Sequence, residues 1–332
     1  MKKRWMISLA VLTAFTVFFF VGCKDKTTEN DDGVNEFDVL IEYLEAGNSD
    51  YLGWVNKLED WIKNYAEINT DDYFVLDIRS ADDFNDVDDE HEIDHIENAF
   101  NATMGTMFDV IETNNTEDKD ILIVCYSGQS ASFAHMLLRL KNYNAYVLKF
   151  GMSIVGEDHD QWTEFCTNDY VDDFVTTESP VLPEFDYPEL NTGFETAEEI
   201  LNARIDAAIA LWSNAETRPL IAADAVMEDP DAFNIMNYWG DGDGNGVLDY
   251  LELGHIDGAY QLTPYTLTTA ENLSVFDPDG NNIFYCYTGQ TAAASIAYLT
   301  VLGYDVKSIK YGTCSMIWDE MPGHKWPKPY GK

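Results

Sequence analysis

The chain has 332 residues, 46% of them hydrophobic, which is enough length and apolar content to bury two cores. Its 60 acidic residues outweigh 19 basic ones for a formal net charge of −41, which argues against nucleic acid or an anionic membrane surface as a partner held by charge. Five cysteines are too few to staple a chain of this size and direct attention to thiol chemistry instead.

At the amino terminus, Lys2-Lys3-Arg4 precedes an apolar run from Trp5 to Val21 and then Gly22-Cys23. A positive n-region, an apolar h-region and a small residue before cysteine have the form of a bacterial lipoprotein signal. Residues 1–22 are then a signal peptide and Cys23 is the lipidated first residue of a mature chain whose charge is −44. Residues 23–36 read as a polar tether. The protein is expected in the bacterial cell envelope, lipid-anchored outside the cytoplasmic membrane; an uncleaved apolar anchor would place it on the same side.

Residues 37–167 form a first expected domain. Trp54, Trp61, Ile62 and Tyr65 make a helical stripe expected in the core. A strand is expected from Tyr73 to Arg79, followed by a solvated acidic loop with Asp82, Asp83, Asp86, Asp88, Asp89 and Glu90. His95 reads as a scaffold residue, and His91, His135, His159 and His324 show no ligand spacing. A short buried strand from Asp120 to Val124 leads into Cys125-Tyr126-Ser127-Gly128-Gln129-Ser130-Ala131. A helix carrying Ala134, Leu137 and Leu138 is expected to stop at Asn142, before a strand from Ala145 to Lys149 and the pair Phe150-Gly151.

Residues 168–191, acidic and bearing Pro180, Pro183 and Pro188, read as a linker. Residues 192–332 then repeat the order. Ala232 to Tyr238 aligns with Tyr73 to Arg79, which puts Met236 and Tyr238 opposite Asp77 and Arg79. His255-Ile256-Asp257-Gly258-Ala259 echoes His95-Ile96-Glu97-Asn98-Ala99, and His255 is likewise a scaffold residue. A strand from Asn282 to Tyr285 leads into Cys286-Tyr287-Thr288-Gly289-Gln290-Thr291-Ala292, 161 positions after the first heptad. A helix ending at Gly303, a strand from Val306 to Lys310 and Tyr311-Gly312 complete the repeat.

Each cysteine stands where a strand hands over to a helix N-terminus, a setting of unpaired N–H groups and positive helix dipole that favours thiolate. One such cysteine is often merely buried. Two in the same context point to nucleophiles. Cys166 and Cys314 are expected to remain unbridged.

Inside the second repeat, residues 241–252 fit the twelve-position calcium loop of an EF-hand. Asp241, Asp243, Asn245, Asp249 and Glu252 supply side-chain oxygens, Val247 a carbonyl, and Gly246 the turn. It lies in a strand-to-helix connection with no paired EF-hand, so the expected cofactor is structural Ca²⁺. No organic cofactor is expected.

The order of elements resembles the rhodanese family: a strand ending in Asp-x-Arg, a His-Ile-x-Gly-Ala segment, a strand ending in cysteine, a wrapping loop, a helix, another strand and a glycine turn. Gly128, Ser130 and Ala131, and Gly289, Thr291 and Ala292, match the loop of two-domain sulfurtransferases. The resemblance implies an α/β fold of two rhodanese-like domains, each a mainly parallel sheet flanked by helices. It also implies sulfur transfer through a persulfide on Cys125 or Cys286, from a small anionic sulfur donor to a thiol or cyanide. Arg79 would bring a cation near the first pocket. Neither loop contains Lys or Arg, so the donor stays open, and Ala131 and Ala292 stand where a phosphatase of this broad fold needs arginine. The alternatives are a non-catalytic envelope module binding a partner or a sulfur species, and a thiol redox protein.

Overall fold

Ile121-Leu122-Ile123-Val124 is apolar without alternation, and all four residues are buried in the computed structural model. Such a run belongs in the middle of a parallel sheet covered on both faces. The structure describes residues 34–46, 61–86, 92–242 and 244–328. The signal peptide, Cys23 and all of the tether up to residue 33 therefore lie outside the described residues, as do Trp54, Asp88, Asp89, Glu90, His91 and Asp243. No described helix is long and apolar enough to cross a membrane.

The first half contains α1 (Glu36–Ala46), β1 (Ile62–Lys63), β2 (Phe74–Asp77), α2 (Ala81–Phe84), β3 (Phe100–Asn101), α3 (Met107–Asn114), β4 (Ile121–Val124), α4 (Gln129–Leu140) and β5 (Ala145–Leu148). Its strands form one parallel sheet in the order β1-β5-β4-β2-β3. After β6 (Phe174–Val175), the second half contains α5 (Ala197–Ser213), β7 (Leu220–Ile221), α6 (Ala223–Met227), β8 (Asn234–Asn237), α7 (Asp249–Glu252), β9 (His255–Ile256), β10 (Tyr260–Gln261), β11 (Asn282–Tyr285), α8 (Gln290–Val301) and β12 (Val306–Ile309). Its parallel sheet runs β7-β12-β11-β8-β10, the same order element for element. The expected α/β class with two mainly parallel sheets is the observed one.

Both cysteine helices end where expected. Asn142 and Gly303 take left-handed backbone, with φ of 65° and 104°. Nearly every residue of α4 and α8 is buried, as expected for helices enclosed on all sides. The two pack directly on each other, and small residues such as Ala134 and Ala294 permit the approach. One hydrophobic cluster consequently runs through both halves, from Leu40 and Ile123 to Phe284 and Leu299.

Several expectations are corrected. Trp61 and Ile62 are not helical: the Trp61 carbonyl accepts the Val147 N–H at 2.8 Å and Ile62 pairs with Val147, so sheet pairing overrides the apparent helical spacing. Residues 168–191 are tied down, since Phe174–Val175 pairs antiparallel with His255–Ile256 and the Phe185 N–H reaches the Ser274 carbonyl. The strand alignment also slips by one residue. Asp77 pairs with Val124, just before Cys125, and Asn237 pairs with Tyr285, just before Cys286. Asn237 and Trp239, not Met236 and Tyr238, therefore correspond to Asp77 and Arg79; a one-residue slip exchanges the two faces of a strand.

Candidate functional site

Cys125 and Cys286 each follow the last residue of a central strand, and the chain curls back over the sulfur before the helix begins. Gly128 precedes α4 at φ 87° and Gly289 precedes α8 at φ 71°. Glycine takes this backbone without strain. The turn brings the N–H groups of Gly128 and Ala131 to 3.1 and 3.3 Å from Cys125 Sγ, and that of Ala292 to 3.3 Å from Cys286 Sγ. The loop floors are equally tight. A Cβ added at Gly151 or Gly312 would stand 2.2 Å from the carbonyl oxygen of Cys125 or Cys286.

The expected thiolate setting is opposed by burial. Both sulfurs are almost completely enclosed, and desolvation pushes both thiol pKa values up, with the surrounding backbone N–H groups pulling the other way. The N–H groups thus favour negative charge on sulfur, and burial opposes it.

The tyrosine after each cysteine is anchored to a carboxylate from the preceding connection. Tyr126 donates to Asp83, and Tyr287 donates to Asp249. Asp83 is thus a loop anchor and not only a member of a solvated acidic run. Ser127, Ser130, Thr288 and Thr291 lie on the cavity walls around the loops.

A cavity of about 270 Å³ opens on Cys286, walled by Trp61, Asn64 and Lys149 from the first half and by Tyr265, Thr288 and His324 from the second. A cavity of about 320 Å³ adjoins the loop after Cys125 and includes Arg218, Lys310 and Tyr311 from the second half. Cys125 itself is not on that wall. Arg79, expected as a substrate cation, lines neither: it is buried, binds the Asp77 carboxylate through Nε and Nη2, and donates to the Asp94 carbonyl. Its charge is already neutralised. The cations absent from the loops arrive instead from the ends of strands in the opposite half. Lys149 and Lys310 recur 161 positions apart, like the cysteines, and that repetition was the signal in the sequence.

His95 and His255 are held by backbone carbonyls, whereas His324 lies on the wall of the Cys286 cavity. His95 Nδ1 is 2.9 Å from the Phe84 carbonyl; His255 lies between the carbonyls of Ile256 and Thr177 at 2.8 and 2.9 Å. Cys166 and Cys314 share one core cluster and are not disulfide-bonded.

In the calcium-loop segment, the Asp241 carboxylate accepts the N–H groups of Asn245 and Gly246 at 3.0 and 2.7 Å. The Asn245 amide spans both Glu252 oxygens at 3.1 and 3.0 Å. Gly244 and Gly246 take positive φ, so the chain coils back on itself, and Asp249 is buried at its end. Val247 is exposed. Among the described residues, which omit Asp243, no group of three or more His, Cys, Asp or Glu side chains is arranged to hold a metal.

Residues 59–155 match the Rhodanese-like domain family. No curated protein matches the chain. Among solved structures, it is similar to a 3-mercaptopyruvate sulfotransferase from Escherichia coli, at 16% identity over 75% of this chain and 97% of that one, with a TM-score of 0.25. It is also similar to a 3-mercaptopyruvate sulfurtransferase from Leishmania major, at 16% identity over 78% and 74%, with a TM-score of 0.28. A third is an anaerobic ergothioneine biosynthesis enzyme from Chlorobium limicola, at 12% identity over 80% and 98%, with a TM-score of 0.25. These likenesses are too distant to carry function.

Proposed function

We propose that this protein, whose residues 59–155 form a rhodanese-like domain, is a tandem rhodanese-type sulfurtransferase with Cys286 as its principal nucleophile. The observation that carries the reading is the repeated cradle: backbone N–H groups face a cysteine sulfur at the start of a helix in both halves. Such donors stabilise a negative charge on sulfur. Cys286 is preferred because it lines a cavity that a donor can enter.

In the proposed reaction, Cys286 loses its proton to solvent and its thiolate attacks the outer sulfur of a sulfane donor. A sulfur–sulfur bond forms, the donor's bond to that sulfur breaks, and the remainder of the donor leaves with the electron pair. The persulfide anion lies in the N–H cradle, until cyanide or a thiolate attacks its outer sulfur and Cys286 leaves as thiolate. The test is thiocyanate formation from thiosulfate and cyanide. Cys286→Ser should abolish turnover and Cys125→Ser should retain a measurable part; equal turnover in Cys286→Ser and the parent would refute the assignment.

A second reading, a module that binds a sulfur species without turning it over, is favoured by one observation, the almost complete burial of both sulfurs, which disfavours the thiolate. It predicts binding with no thiocyanate formed. The proposal further includes Ca²⁺ at residues 241–252, supported by an all-oxygen donor set, and attachment to the envelope membrane through lipidated Cys23, supported by the leader sequence alone. Labelled palmitate should enter the parent and not Cys23→Ser.

A further inference from the structure

The chain carries 60 acidic residues, yet among the described residues neither cavity at the cysteine loops has a carboxylate on its wall. Three other cavities, near Glu112, Glu42 and Asp231, each have at least one. With only 19 basic residues to place, the protein puts Lys149 in the cavity of Cys286, and Arg218 and Lys310 in the cavity of the Cys125 loop. The formally charged side chains on these two cavity walls are thus opposite in sign to the molecule as a whole.

Lys149 follows β5 and its ammonium lies 5.2 Å from the centre of the Phe150 ring. It makes no ion pair and no side-chain hydrogen bond among the described residues. Desolvation holds its pKa below the ordinary lysine value, with Glu67 opposing that shift from outside ion-pair distance. An amine partly withdrawn from water without a counter-charge gains from binding an anion. A second donor stands on the same wall. Gln290 is fully buried, its carboxamide oxygen accepts the Phe150 N–H, and its Nε2 has no acceptor among the described residues.

We propose that the two cavities are anion sites assembled across the repeats, in which Lys149 of the first half holds the anionic group of a small sulfur compound over Cys286. Lys310 and Arg218 of the second half do the same beside the Cys125 loop. The inference rests on the sulfurtransferase reading for the nature of the ligand, but not for the presence of an anion site. In each half the anion-binding group and the loop it serves belong to different repeats, so neither site is complete within one repeat. Lys310 is exposed and Arg218 is held by the Trp212 carbonyl at 2.9 Å, which makes the Lys149 site the more enclosed of the two.

The test compares alkylation of Cys286 by iodoacetate, an anion, and iodoacetamide, its neutral analogue, in the full folded chain, with the modified peptide quantified by mass spectrometry. In each reaction the thiolate forms a carbon–sulfur bond and iodide leaves, so only the reagent's charge differs. Lys149→Gln should lower the iodoacetate-to-iodoacetamide rate ratio about three- to tenfold, the scale of one partly solvated charge pair, and Lys149→Arg should preserve it. Lys149→Met, which keeps the stem packed, should behave like Lys149→Gln if the latter is poorly folded. An unchanged ratio in Lys149→Gln and Lys149→Met overturns the inference, as does a Cys286 inert to both reagents. Because no sulfur is transferred in this experiment, its outcome is independent of whether the protein turns over a sulfane donor. In turnover, the same variants should raise KM for thiosulfate more than they lower kcat.

Discussion

The carboxamide oxygen of Gln290, the first residue of α8, accepts the backbone N–H of Phe150 in the opposite repeat at 3.0 Å. The relation is reciprocal, since Gln129 at the start of α4 accepts the Tyr311 N–H, also at 3.0 Å. Phe150 and Tyr311 hold left-handed backbone, with φ of 65° and 62°, directly before the glycines that floor the two cysteine loops. Each repeat therefore fixes the backbone under the other's nucleophile loop. A Cβ at Gly128 would meet Gln290 Oε1 at 2.7 Å, and one at Gly289 would meet Gln129 Oε1 at 2.9 Å, so the glycines of the loops are also required by this exchange.

Gln290→Ala leaves the Phe150 N–H buried without its acceptor. The expected cost is about 1–3 kcal/mol, measured as a lower urea midpoint with unchanged slope. Gln290→Glu, which keeps an acceptor oxygen, should lose less. If both variants unfold at the parent's midpoint, the exchange does not hold the repeats together.

The pH dependence of thiol reactivity follows from burial. Desolvation raises both thiol pKa values, so at neutral pH each is protonated and little of the reactive thiolate is present. Alkylation of Cys286 by iodoacetamide should accelerate about tenfold per pH unit and continue past about pH 8.5, where an ordinary cysteine begins to level off. A plateau below pH 8 would show that the N–H cradle outweighs burial.

Calcium should stabilise the second half, because a ligand that binds only the folded state shifts unfolding by mass action. The Asp249 carboxylate also holds the Tyr287 hydroxyl beside Cys286, so the loop and the thiol are mechanically joined. Calorimetric titration of the chelated protein should show binding that Glu252→Gln weakens, with a melting temperature raised by calcium in the parent. Absence of heat and of a melting shift at millimolar calcium would reduce residues 241–252 to an acidic turn.

Much of this architecture was legible in the sequence because the signals were local. Continuous apolar runs marked β4 and β11, left-handed stops marked Asn142 and Gly303, and the duplicated heptads marked both cysteine loops. What was not legible depended on distant pairing. Trp61 has helical spacing with its neighbours, but its carbonyl accepts the Val147 N–H and the chain enters β1 at the next residue. The register of Asn237 against Asp77 is set by the ladder to Tyr285, which no local pattern reveals. Lys149 was visible as the end of a strand. Its place beside Cys286 arises only because the two repeats share one core.

A persulfide on Cys286 would be seen by intact-mass measurement of the purified mature protein after incubation with thiosulfate and removal of excess donor. A gain of one sulfur atom is expected, mapped to the Cys286 peptide, released by cyanide and absent from Cys286→Ser. A chain that gains no sulfur, or that gains it equally when Cys125 and Cys286 are both replaced by serine, does not carry sulfur on its loop cysteines.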